Sequence, residues 1–115
     1  MRRFLLTLLL AMATSAQAFA HTALSASLPA DTAAVAAPSE IVLEFTADVR
    51  LTSLSLQTAA GEKKSLGALP SAAARKFAVP IAETLPPGEY VVAYRTVGAD
   101  THVVAGEIRF TVTET

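Results

Sequence analysis

The sequence predicts an all-β chain, a single antiparallel Greek-key β-sandwich or barrel of about seven strands. Three observations carry that expectation: short apolar–polar alternating runs, proline- or glycine-bearing turns between them, and no run with convincing helical periodicity. The 115 residues suffice for one domain. There is no cysteine to staple a small core, so the fold rests on apolar burial alone. The 52% hydrophobic content overstates that core, because much of it is alanine.

The first twenty residues stand apart. Arg2 and Arg3 precede a leucine-rich apolar run from Phe4 to Ala13, and Ala18-Phe19-Ala20 follows as an A-x-A site. This is the pattern of a cleavable secretory signal, 1–20, ahead of a domain at 21–115. The apolar run is shorter than the ~20 residues of a membrane span, which disfavours an uncleaved anchor. Ala16-Gln17-Ala18 is a competing cleavage site. Loss of Arg2 and Arg3 leaves seven basic against ten acidic residues. With no basic stripe and few aromatics, nucleic-acid binding has no foundation.

From Thr22 to Leu28, Leu24, Ala26 and Leu28 alternate with small or polar residues, as in a half-buried strand. Pro29-Ala30-Asp31 ends it. The alanine-rich Thr32–Ala37 stops at Pro38 and is too short for a helix, so it reads as loop. Ile41–Thr46 and Thr52–Thr58 each alternate and read as two strands. Ala60-Gly61-Glu62-Lys63 makes a polar turn, and Lys64–Leu69 a short edge segment. Lys76–Ile81 carries Pro80, which argues for an edge strand or a bulge.

Leu85-Pro86-Pro87-Gly88 is a strong turn signal. Glu89–Val97 is apolar on nearly both faces, as a central strand should be. Gly98–Thr101 interrupts, and Val103–Thr113 resumes, with Gly106 permitting a bulge. This spacing of strands suits an immunoglobulin-like or cupredoxin-like sandwich.

Few residues are left to carry chemistry. No serine sits in a G-x-S-x-G elbow, no G-x-G-x-x-G or P-loop is present, and the carboxylates are scattered. There remain the chain's two histidines, His21 and His102, and Asp100, two residues before His102. In an extended segment, residues i and i+2 share a side, so Asp100 and His102 can converge on one ion. Cleavage after Ala20 would give His21 a free α-amine beside its imidazole. Nitrogen-rich chelation of this kind favours Cu(II), at the peak of the Irving–Williams order. Asp100 would add an oxygen ligand or anchor an imidazole from outside. Zinc or nickel also suits two histidines and a carboxylate.

The same residues resemble the CopC-type periplasmic copper-binding family. His21-Thr22-Ala23-Leu24-Ser25-Ala26-Ser27-Leu28-Pro29-Ala30-Asp31 is similar to its opening, with an S-x-P-A-D/N segment. Ile41–Phe45 followed by Val49 resembles its LxF…V strand, and Pro87–Val97 its PGxYxVxWRxxS strand. Ala99–Gly106 is similar to its ADGHPVxG signature, and Ile108–Val112 to its closing xFxV strand. Tyr94 stands where the family usually has tryptophan, Thr101 replaces glycine, and Val103 replaces proline. Threonine tolerates positive φ poorly, so the turn at Asp100–His102 is expected to be shaped differently here.

The resemblance implies a Cu(II) site made of the α-amine and imidazole of His21, with His102 and Asp100. The only methionines, Met1 and Met12, lie in the signal, so a methionine-rich Cu(I) site is not expected. It further implies a periplasmic monomer that sequesters copper, confers resistance or delivers the ion to an inner-membrane CopD-like partner, without turnover. Two other readings stay open. One is a histidine-brace oxidative enzyme, disfavoured because Asp100 would occupy a position that oxygen activation needs open. The other is a metal-free immunoglobulin-like structural or adhesion module.

Overall fold

The computed structural model describes residues 23–114; the expected signal, His21 and Thr22 lie outside them. Seven strands form one curled sheet: β1 (Leu24–Leu28), β2 (Ala34–Val35), β3 (Glu40–Thr58), β4 (Lys63–Lys64), β5 (Ala74–Pro80), β6 (Gly88–Gly98) and β7 (Val103–Val112). The order is β1-β3-β6-β7-β2, with β4 and β5 also pairing with β3. All pairings are antiparallel except β2 with β7, which is parallel.

The spine is β3. Its first half pairs with β1 and β5, and its second half with β6 and β4. Val49 belongs to both halves, opposite Ala74 of β5 and Gly98 of β6. The sequence suggested two strands here, Ile41–Thr46 and Thr52–Thr58, although the alternation itself continues through Ala47, Val49 and Leu51. Neighbours on both sides instead carry one strand through the corner, with irregular register between Glu44 and Val49 and again between Leu51 and Ser53.

Alternation fills the interior as expected. Ile41, Leu43, Phe45, Phe77, Val79, Val92, Ile108, Phe110 and Val112 are all buried. Phe45 meets Phe77 edge-on at 6.1 Å and Tyr94 edge-on at 5.7 Å, joining the two halves of the core. Tyr90 stacks on Phe110 at 5.5 Å. Its hydroxyl donates to the carbonyl of Pro86, four residues upstream. This tyrosine corner locks the Pro86-Pro87-Gly88 turn to the start of β6, as in immunoglobulin-like sandwiches.

Several sequence expectations need correction. Thr32–Ala37 is not all loop: Ala34 and Val35 pair with Thr111 and Val112 of β7, a partner 77 residues away that local periodicity does not report. The segment expected over Lys64–Leu69 is reduced to Lys63–Lys64 and a single bridge from Leu66 to Ile81. Gly106 makes no bulge, since the β6–β7 register is unbroken from Gly88↔Val112 to Val97↔Val103. Gly106 lies directly opposite Tyr94, whose phenol occupies the space that a Cβ would need. The glycine makes room for a cross-strand aromatic ring.

Candidate metal centre

The turn joining β6 to β7 is a three-residue hairpin loop. Thr101 N–H donates to the Gly98 carbonyl at 2.9 Å, and Gly98 N–H donates to the His102 carbonyl at 3.0 Å. Loops of this length end in a residue with left-handed φ. That residue is Thr101, at φ 67°. Threonine therefore accepts the left-handed conformation rather than avoiding it, at a cost of roughly 1–2 kcal/mol. The Thr101 hydroxyl donates to the Asp100 carbonyl within the turn.

This conformation brings Asp100 and His102 together. Oδ1 of Asp100 accepts the backbone N–H of His102 at 3.1 Å, and Oδ2 lies 2.7 Å from His102 Nδ1. The two side chains are close, as strand alternation suggested, but their proximity arises from a turn in which the carboxylate folds over the next two residues. These two hydrogen bonds, with the ring contact the stronger, hold the Asp100 carboxyl below its ordinary pKa. The side chains are 61% and 76% exposed, so the pair contributes little to stability.

Its consequence is orientation. An ionised carboxylate can only accept, so Nδ1 carries the proton and the neutral ring keeps its lone pair on Nε2. Carboxylate-to-histidine bracing of this kind orients metal-ligating imidazoles. The carboxylate also retains free lone pairs, which leaves it chemically able to ligate. The donor set therefore fits a nitrogen-preferring divalent ion. Among the described residues, no third histidine, cysteine, aspartate or glutamate joins the pair.

Any further protein donor from the amino end would enter through Ala23. Ala23 accepts from Thr46 N–H at 3.0 Å, and its own N–H donates to Thr46 Oγ1 at 3.1 Å. Thr46 lies three residues before Val49, which pairs with Gly98 at the root of the hairpin. The start of β1 and the root of the Asp100–His102 hairpin thus meet β3 three residues apart. His21, the remaining site residue expected from sequence, lies outside the described residues. Sequence reasoning placed Thr46 only on an outward strand face; an exposed threonine in an alternating run carries no signal of its contacts.

The CopC domain family model matches residues 24–113. Copper resistance protein C of Xanthomonas campestris pv. juglandis is 36% identical over 107 residues, covering 85% of this chain and 84% of that protein. Copper resistance protein C of Escherichia coli is 36% identical over 115 residues, covering 90% of each. The crystal structure of PcoC, a methionine-rich copper resistance protein from Escherichia coli, aligns with a TM-score of 0.67 at 32% identity. That alignment covers 82% of this chain and all of the other. A match running from the first strand to the last, with relatives of comparable length, means that the chain belongs to the CopC domain family.

Proposed function

We propose that this protein is a periplasmic Cu(II)-binding protein, with the ion as cargo rather than as a catalytic centre. Removal of a 1–20 signal leaves a 21–115 domain whose first residue, His21, binds through its α-amine and imidazole. His102 supplies Nε2, and Asp100 supplies a carboxylate oxygen while bracing the ring. The observation that carries this reading is the Asp100–His102 brace, on a hairpin whose root meets β3 three residues from the start of β1. Membership of a family whose relatives are named for copper resistance supports copper over zinc or nickel.

Nitrogen and oxygen donors favour Cu(II), whereas Cu(I) prefers sulfur. The chain has no cysteine, and its two methionines fall within the proposed signal, in contrast to the methionine-rich PcoC. A site used for holding and passing an ion needs no turnover. The reading is therefore sequestration, resistance or delivery to an inner-membrane CopD-like partner by a monomer, with no role for nucleic acid.

Cu(II) titration of chain beginning at His21, with electron paramagnetic resonance to count nitrogen ligands, tests this. One ion should bind with at least two histidine-derived nitrogens and the terminal amine. Acetylation of the His21 α-amine should weaken binding on the order of 100-fold, because the terminal chelate is lost. Equal affinity with and without the acetyl group would rule out the terminal amine as a ligand.

A further inference from the structure

The edges of this sheet are not equally protected. An edge strand presents unpaired N–H and C=O groups, and chains commonly guard them with charge, proline, irregular register or brevity. Strands β2 and β4 are two residues long, and β4 is Lys63-Lys64. Strand β5 carries Arg75, Lys76 and Pro80. Strand β1 has five residues and shifts register between Leu24 and Ala26. Strand β7 is guarded over only part of its length: Asp31 and Thr32 bind Arg109, Ala33 accepts from Thr111, and Val35 accepts from Thr113.

Those contacts fix which backbone groups of β7 face outward. The N–H groups of Arg109, Thr111 and Thr113 all point away from β6, and the β6–β7 register is unbroken. Alternation then turns the N–H and C=O of Val103, Ala105 and Glu107 to the same side. Among the described residues none of these groups has a partner, and β7 has no strand neighbour besides β6 and β2. From Val103 to Gly106 the strand holds no charge, no proline and no bulge. Val103 is 53% exposed, and a surface hollow is lined by His102, Val103, Val104 and Ala105. The unguarded edge therefore begins beside the residue that presents Nε2.

We infer that the outer edge of β7, from Val103 to Glu107, is the docking strip for an extended segment of a protein that exchanges copper with this one, added as a further antiparallel strand. This rests on the copper cargo proposed above. Donors and acceptors repeating every two residues, about 7 Å, match an extended backbone, and antiparallel pairing is the more stable. Oε1 of Glu107 meets Arg109 at 3.1 Å, which leaves Oε2 for a basic residue of the partner. Past Val103 the added strand reaches the level of His102, where an imidazole of its own meets the ion. A second copy of β7 fits less well, since antiparallel pairing about Ala105 sets Val103 opposite Glu107 at both ends. So short an interface is weak, which suits release after transfer.

The probe is the peptide acetyl-Lys-Thr-Val-Thr-Val-His-amide, whose lysine falls opposite Glu107, its valines opposite Ala105 and Val103, and its histidine beside His102. A control peptide has proline in place of both valines, which removes the donors that pair. On the metal-free chain beginning at His21, the probe should shift the amide resonances of Val103, Ala105 and Glu107 saturably, and the control should not. Ala105→Pro removes an outward N–H and should weaken the probe about 10-fold, with Cu(II) affinity unchanged in a competition titration. Glu107→Lys should weaken it about 3-fold, and a probe with glutamate for lysine should recover the loss. With Cu(II) bound, the histidine resonances of the probe should broaden. No saturable shift at the three amides, or equal shifts with the control, would overturn the inference and leave the copper reading intact. Shifts that grow with protein concentration alone would overturn it in favour of a second copy. If the probe docks but the chain binds no Cu(II), the copper reading falls and takes the exchange role of the strip with it.

Discussion

Asp31-Thr32 follows β1, and Asp100-Thr101 follows β6. In both, the threonine adopts left-handed φ, 65° and 67° respectively, and its hydroxyl donates to the carbonyl of the preceding aspartate. The carboxylates then part company. Asp31 Oδ1 accepts the backbone N–H of Arg109 at 2.9 Å, while Thr32 N–H donates to the Arg109 carbonyl at 2.6 Å. That turn covers part of the outer edge of β7 and leads the chain into β2, whose neighbour Ala33 accepts from Thr111 N–H at 2.8 Å. Asp100 reaches only two residues, to His102, and leaves both groups in solvent. A carboxylate bound to a distant strand is structural. One bound to an adjacent imidazole fixes a proton on Nδ1 and presents the other nitrogen. The same dipeptide in the same backbone conformation does either, according to what lies within reach.

Substitutions at the two turns should separate these roles. The largest effect is expected from His102→Ala, which should weaken Cu(II) about 100-fold or more, beyond the cost of losing an outer partner. Asp31→Ala should leave copper affinity within about 2-fold in the same competition titration, since it removes a strand contact and no donor. A large copper defect in Asp31→Ala at full folding would erase the distinction. In urea denaturation the order reverses. Asp31→Ala should lose about 1–2 kcal/mol with its hydrogen bond to Arg109, and His102→Ala should move the midpoint little.

Smaller effects probe the shared backbone. Thr101→Gly and Thr32→Gly should each stabilise by about 0.5–1 kcal/mol, because relief of left-handed strain exceeds the added freedom of the unfolded chain. A destabilised Thr101→Gly, read from the urea midpoint, would show that the threonine side chain holds the hairpin. The smallest expected effect is on pH. The Asp100 carboxyl titrates below its ordinary value because His102 hydrogen-bonds its ionised form. Its contribution is therefore present above the unfolded value near pH 4 and is lost as pH falls through the lowered native value. Midpoints measured from pH 5 to pH 2 should show a slight extra loss in the native chain that Asp100→Asn lacks.

The Asp100–His102 pair was legible in the sequence because its partners are two residues apart, and a turn of any kind keeps them close. The physical route was not: alternation suggested strand geometry, whereas Thr101 turns the chain. The alternating faces of Ile41–Phe45, Phe77–Val79 and Ile108–Val112 likewise reported the core correctly, since side-chain period and burial are local consequences of the strand. Asp31 offered no comparable signal. Its partner is 78 residues away, and nothing near Asp31 in the sequence specifies Arg109.

By itself the sequence determined the all-β class, the turn at Pro86-Pro87-Gly88, the inward faces of the strands and the chemistry available at Asp100 and His102. These follow from backbone sterics, two-residue periodicity and side-chain type, which act over a few residues. Only the tertiary structure decided that β3 runs unbroken through Val49, that β2 lies parallel to β7, that Gly106 makes room for Tyr94, and that Thr46 grips Ala23. Each of these depends on which strands meet. Pairing is selected by the burial and hydrogen bonding of the whole sheet, and no local pattern encodes it.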